Sequence, residues 1–237
     1  MALTGKKYKC EWKWKEKMFG DYDLNDQIYH EIIECITSAL DAKDAYTAGH
    51  SKRVSEMSLA LSEALGLSAQ DILHIHIAAH LHDIGKIGIP DAVLHKEGKL
   101  NEYEWEIIKS HPRIGAQILS KSRKLSELIE IVLHHHERFD GKGYPDGLAG
   151  ENIPLGARVI AICDSIDAMT SHRKYRNSLS WEDCYREIKK NCGSMYDPVI
   201  GKVALENWET IKRASMVREQ CMDAMQITDN ARQKCMK

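Results

Sequence analysis

Apolar residues recur at three- and four-residue spacing along most of the chain, and few runs alternate, so the pattern predicts an all-α fold. Asn25 or Asp26 can cap a first helix over 25–43, with Ile28, Ile32, Ile36 and Leu40 on one inward face. A second helix, 48–65, carries His50, Val54, Met57 and Leu61 on one face and closes at Gly66. Ser68 can cap a third, 69–82, whose stripe of Ile72, Ile75 and Ala79 ends at His82, with Asp83 beside it. Further helices are predicted over 102–110 behind Asn101, from His111-Pro112 to Leu119, and over 126–137, ending in His134-His135-His136. Three more follow: 155–171 opened by Pro154, 181–191 behind Ser180, and 197–212 from Asp197-Pro198 with Val199, Val203 and Trp208 inward. The glycine- and proline-rich run FDGKGYPDGLAGENIP (139–154) interrupts this pattern. Long ordered loops of that kind in a compact domain are usually functional.

The ends read differently. In residues 1–24, Tyr8, Cys10, Trp12 and Trp14 alternate with Lys7, Lys9, Glu11, Lys13 and Lys15, which predicts a short extended arm packed on the domain or on a dimer mate. The tail, 213–237, is polar and Met-rich. The division is therefore an arm (1–24), one catalytic-sized domain (25–212) and a tail.

Composition narrows the partners. The chain has 237 residues and a net charge of −2, with 33 basic and 35 acidic side chains interspersed. That balance gives no footprint for a nucleic-acid polymer or a bilayer surface. No apolar stretch is long enough for a membrane span. The cysteine count is odd, seven, and no pair has CxxC spacing, which fits free thiols in the cytoplasm rather than a zinc knuckle.

The chemistry concentrates at LHDIGKIGIPDAVL (81–94). Adjacent His82 and Asp83 can offer an imidazole and a carboxylate to one small volume, with Lys86 as a fixed cation beside them. Alone such a pair is weak, and a lone inward histidine such as His50 more often meets a hydrogen-bond acceptor than an ion. His74, His76 and His80 read as surface or supporting groups. Asp164 lies among Val159, Ile160, Ile162, Cys163 and Ile166, so its carboxylate needs a cation. Asp167 and Ser171 share its face. Together His50, His82, Asp83, His111, His135, His136 and Asp164 supply seven N/O ligands, one able to bridge. Such a set suits two divalent ions, Fe or Mn rather than structural zinc, and spacing alone equally allows unrelated histidines in a histidine-rich chain.

Five segments resemble the HD-GYP branch of the HD hydrolases: DAYTAGHSKRV (44–54), LHDIGKIGIPDAVL, KSHPRIGAQIL (109–119), LHHHERFDGKGYPDGLAGENIPLGARVIAICDSIDAMTSHRKYR (133–176) and YDP (196–198). The resemblance implies an all-helical HD-domain bundle with a long GYP loop. It also implies metal-dependent hydrolysis of a cyclic dinucleotide, cyclic di-GMP before 3′,3′-cGAMP, to the linear dinucleotide or GMP. His50, His82, Asp83 and Asp164 would hold one ion, and Asp83 would bridge to a second held by His111, His135 and His136. A hydroxide bridging the ions would be the nucleophile. Lys86, Arg173 and Arg176 would meet phosphates, Asp167 would support a ligand, and Gly143, Tyr144 and Pro145 would shape the site. Tyr46 stands where some members of the family carry a Glu that binds a third ion, so two ions are expected. The alternatives are a dinucleotide-binding module without turnover or an HD hydrolase acting on another nucleotide. A GGDEF-type diguanylate cyclase at the GYP loop and a homodimer are the protein partners that the resemblance suggests.

Overall fold

The structure is a computed structural model, and it describes residues 24–43, 49–171 and 178–216. Residues 1–23 of the predicted arm, Tyr46, Arg173, Arg176 and the end of the tail lie outside those residues. Eleven α-helices form among the described residues and no strand does; the extended backbone makes only the isolated bridges Asp140–Ala149 and Cys192–Tyr196. The all-α expectation holds.

The helices are α1 Leu24–Lys43, α2 His50–Ala64, α3 Ala69–Leu81, α4 Asp91–Leu94, α5 Glu102–Lys109, α6 His111–Leu119, α7 Ile129–Leu133, α8 Leu155–Thr170, α9 Trp181–Asn191, α10 Pro198–Glu206 and α11 Trp208–Met216. Short 3-10 turns cover Ile84–Gly88, Arg123–Leu128 and Gly150–Asn152. Local chemistry sets several boundaries. Gly66, at φ 68°, ends α2 in a Schellman turn: its N–H donates to Glu63 O and that of Leu67 donates to Ser62 O. Ser68 caps α3 by accepting from Asp71 N–H. Asn101 and Glu104 form a reciprocal capping box on α5.

Helix α2 is the centre of the bundle, packed by α3, α8 and α11. Val54, Met57 and Leu61 from α2 meet Ile75, Ala78 and Ala79 from α3 and Val159, Ile160, Ile162, Cys163 and Ile166 from α8 in one buried core. Complete burial of a large aliphatic side chain is worth ~1.5–3 kcal/mol, and this core fixes three helices whose ends carry polar side chains to one place.

Three expectations are corrected. On α1, Ile28, Ile32 and Ile36 are exposed (46%, 49% and 41%), while Ile33, Thr37 and Leu40 turn inward. Thr37 Oγ1 donates to His80 O and to Ile33 O, so a hydrogen bond to α3 helps to set the helix rotation that the apolar spacing suggested differently. The helix expected over 126–137 is a 3-10 turn, a single α-helical turn, and then a tight turn at 134–136. The helix expected over 197–212 is two, with a break at Asn207; Val199 is exposed and Ile200 and Ala204 are its inward residues.

Candidate metal centre

His50, His82, Asp83, His111 and His135 are all at most 4% exposed, and they meet where the ends of α2, α3, α6 and α7 converge. Their ligand atoms fall into two groups that share Asp83. One is His50, His82 and Asp83; the other is Asp83, His111, His135 and His136; each could hold a metal ion. Asp83 Oδ1 is 3.3 Å from His111 Nε2, while Oδ2 is 3.4 Å from His82 Nε2 and 3.6 Å from His50 Nε2. Asp164 reaches in from α8, its Oδ1 3.3 Å from His50 Nε2.

The backs of these rings decide which nitrogen faces the cluster. His82 Nδ1–H donates to Ala79 O (2.7 Å), His111 Nδ1–H to Ile108 O (2.8 Å) and His135 Nδ1–H to Val132 O (2.6 Å). In each case the acceptor is a carbonyl three residues earlier, which can only accept. His50 Nδ1–H donates to Asp167 Oδ2 at 2.7 Å. All four Nε2 atoms are thereby aimed inward, the ring orientation a metal ligand requires. Two pairs of these nitrogens stand face to face, His50–His82 at 3.2 Å and His111–His135 at 3.4 Å. Two lone pairs at that distance repel unless a proton or a cation lies between them. The donor set therefore fits divalent cations, and its five imidazoles and two carboxylates contain no sulfur.

Burial opposes charge on His50, but the Asp164 and Asp167 carboxylates outweigh it and lift its pKa to about 9. Burial also works against Asp83, yet Lys86 and His82 hold its carboxyl well below the usual range. For Asp164 burial is again outweighed, here by the His50 ring bonded to it, and its carboxyl is lowered. Burial pushes His135 and His136 down, His136 to about 3. His135 and His136 are thus neutral ligands at neutral pH.

Around the cluster, Asp167 accepts from Arg53 Nε–H at 2.5 Å as well as from His50, and Arg53 also donates to Ser171 Oγ at 3.1 Å. Lys86 Nζ donates to Asp83 Oδ2 at 2.6 Å. The GYP loop folds back over the 134–136 turn. A Cβ on Gly143 would lie 2.3 Å from Arg138 N, so only glycine permits that approach. Tyr144 N–H donates to His136 O, and its ring lies 4.8 Å from the His136 ring. Burial, with Asp83 and Asp164 nearby, raises the Tyr144 hydroxyl, which stays protonated as a donor. Pro145 follows through a cis peptide, and its carbonyl faces Arg113.

The sequence reading missed what holds this loop. Glu137 Oε1 accepts from Asp146 N–H (2.7 Å) and Gly147 N–H (2.9 Å). His134 turns away from the cluster: Nδ1 bonds Glu130 O and Nε2 bonds Asp146 Oδ2, each at 3.0 Å. Arg113 pairs with the same carboxylate. Only the position of Glu137 next to the histidine run hinted at this role. His76 and His80, read as surface or supporting histidines, are buried core residues bonded to Ser55, with no place in the cluster.

An all-α bundle whose helix ends deliver imidazoles and a shared carboxylate to one buried cluster defines a helical protein with a site that could hold divalent cations. The chain belongs to the HD-domain family, whose model matches residues 34–200. It is 40% identical over 196 residues to a cyclic di-GMP phosphodiesterase of Thermotoga maritima, covering 82% of this chain and 52% of that protein. It is 36% identical over 181 residues to the 3′3′-cGAMP-specific phosphodiesterase 2 of Vibrio cholerae, covering 76% of this chain and 35% of that protein. The chain thus spans about half the length of the first relative and about a third of the second. Its fold matches the crystal structure of the Vibrio cholerae cyclic GMP-AMP specific phosphodiesterase V-cGAP3 at a TM-score of 0.61 and 20% identity, over 78% of this chain and 49% of that one. Among the described residues no helix is long and apolar enough to cross a membrane.

Proposed function

We propose that this chain is a phosphodiesterase that hydrolyses a cyclic dinucleotide with two divalent ions, Fe or Mn, held in the cluster around Asp83. The observation that carries the reading is the pair of ligand groups sharing one carboxylate, each with two Nε2 atoms facing each other. His50, His82 and Asp164 would hold one ion, His111, His135 and His136 the other, and Asp83 would be shared between them. Ions held there supply water of lowered pKa and positive charge against the phosphate oxygens.

The protein's own groups do the rest. Asp167 orients His50, and the backbone carbonyls behind His82, His111 and His135 fix their rings. Lys86 Nζ, at the rim of the cluster, offsets charge on a phosphate oxygen. Arg173 and Arg176 are assigned to phosphate binding by their place in the motif. Gly143, Tyr144 and Pro145 wall the site, and the protonated Tyr144 hydroxyl is available as a hydrogen-bond donor. Hydrolysis adds the hydroxyl of water to phosphorus and a proton to the departing ribose oxygen, giving the linear dinucleotide and, on repetition, the mononucleotide. Cyclic di-GMP is the first candidate and 3′,3′-cGAMP the second, since relatives named for each match the chain. A cytoplasmic location accords with such a substrate.

Protein purified without oxygen is assayed for metal content and for turnover of both dinucleotides with Mn or Fe. Two ions per chain and cleavage of one dinucleotide, lost in Asp83→Asn with unchanged helicity, are expected. Two bound ions without turnover of either would mean a binding module, and no bound ion would end the reading.

A further inference from the structure

Helix α5 carries a large aromatic side chain that lies outside both the buried core and the ion cluster. None of the eight residues of α5 is buried. The helix is nevertheless built to stay in place: it has a full capping box at Asn101 and Glu104, and Lys96 Nζ bonds both Glu104 carboxylate oxygens at 2.7 and 2.6 Å. On it Trp105 is 46% exposed. A single exposed tryptophan is ordinary on a protein surface. What sets this one apart is its neighbour: the indole stands 6.3 Å from the Tyr144 ring, edge to face at 75°. Tyr144 in turn lies 4.8 Å from the ring of His136, tilted by 31°. A row of three aromatic rings thus runs from the ion cluster to solvent, and its outer member keeps open surface.

Both ends of the row are fixed. Tyr144 sits in the loop held by Glu137 and by the contacts of His134 and Arg113 to Asp146. Trp105 sits on a capped helix. Rigid aromatic surface beside a phosphate site is the arrangement that binds nucleobases by stacking, at little entropic cost to the protein. In a cyclic dinucleotide each base is joined to the phosphates through one ribose, so a base stands close to any phosphate seated at Asp83.

We propose that Trp105 is the stacking surface for a purine base of the substrate, with Tyr144 as its backing. Trp105 is a binding residue, one ring removed from the ligands. A π-face does not distinguish guanine from adenine, so Trp105 supplies affinity for cyclic dinucleotides as a class, and the choice between cyclic di-GMP and cGAMP is made elsewhere. The inference rests on the proposed phosphodiesterase function.

The test compares wild type, Trp105→Phe and Trp105→Ala, all ion-loaded. The readouts are KM and kcat on cyclic di-GMP and 3′,3′-cGAMP, the Kd of a hydrolysis-resistant phosphorothioate cyclic di-GMP by calorimetry, and the Kd of inorganic phosphate. The expected result is a rise of about tenfold in both KM and the phosphorothioate Kd for Ala, alike for the two dinucleotides. Phe recovers most of the loss, and kcat, metal content and phosphate affinity do not change. Wild-type dinucleotide affinity in Trp105→Ala overturns the proposal, as does an equal loss of phosphate affinity, which would mark a general distortion. If the wild-type protein holds its ions but neither binds nor cleaves a cyclic dinucleotide, the proposed function itself fails, and that outcome is visible before any variant is made.

Discussion

Replacing Gly85 with alanine tests how the two halves of the cluster are held together. Gly85 lies in the 3-10 turn Ile84–Gly88, directly after Asp83, and packs on the start of α6. A Cβ there would stand 1.9 Å from His111 O, 2.6 Å from Gly115 N and 2.8 Å from His111 C. All three atoms are backbone, so no rotamer change relieves the overlap. Overpacking by a methylene costs ~1–3 kcal/mol when side chains can move, and here the turn must lift off the helix, so a loss of about 3 kcal/mol or more is expected. For a chain of this size that corresponds to a fall of roughly 6–12 °C in Tm. The same movement draws Asp83 away from His111, now 3.3 Å from it. On the proposed two-ion reading, an ion at His111, His135 and His136 should therefore be lost before one at His50. Thermal melts and metal analysis of Gly85→Ala measure both effects. Gly66→Ala is the control: Gly66 has φ 68° and nothing within 4 Å of the added Cβ, so it should cost only about 1 kcal/mol and no metal. If Gly85→Ala melts with wild type and carries two ions, the close approach is not what joins Asp83 to His111.

Other predictions follow from the titrating groups and their supports. In ion-free protein His50 is raised to about 9, so the stability it adds is complete below an unfolded value near 6.5 and lost as pH rises through about 9. His136, lowered to about 3, acts oppositely: the unfolded chain takes its proton first, so stability falls as pH drops from about 6.5 toward 3. Chelated protein should thus be most stable near pH 6.5, and a Tm that climbs steadily to pH 9 would contradict the assignment of His50. Loaded protein should release its ions between neutral pH and about pH 5, because histidine ligands bind only when neutral; constant metal content over that range would count against histidine ligation. Asp167→Asn removes the carboxylate behind His50 and should weaken ion binding ~10–100-fold with the fold intact; unchanged affinity in a metal titration would show that Arg53 and Asp167 serve only the fold.

The sequence made much of this legible. Helix existence followed from spacing, and the caps at Ser68, Asn101 and Ser180 mark starts that the structure keeps, because capping is a matter of adjacent residues. The seven candidate ligands stand at helix ends or on inward faces, where polar groups are costly without partners, and that cost is itself a signal. Helix rotation was less accessible. The predicted stripe of Ile28, Ile32, Ile36 and Leu40 and the observed inward set of Ile33, Thr37 and Leu40 share only Leu40, and the choice between them depends on neighbours such as His80 O. The burial of His76 and His80 escaped for a similar reason, since their partner Ser55 is on another helix.

What the chain determined by itself is its helical class, most of its helix starts, the loop at 139–154 and a set of candidate ligands of which six fall into two groups that could hold an ion. Those follow from near neighbours along the chain, through period, capping and turn chemistry. Only the folded bundle decided that His50 and His82 face each other at 3.2 Å, that Glu137 and His134 hold the GYP loop, and that Trp105 stands open at the end of a row of rings. Each of these joins segments that are separate in space until the helices and the loop pack, and packing is a property of the whole core.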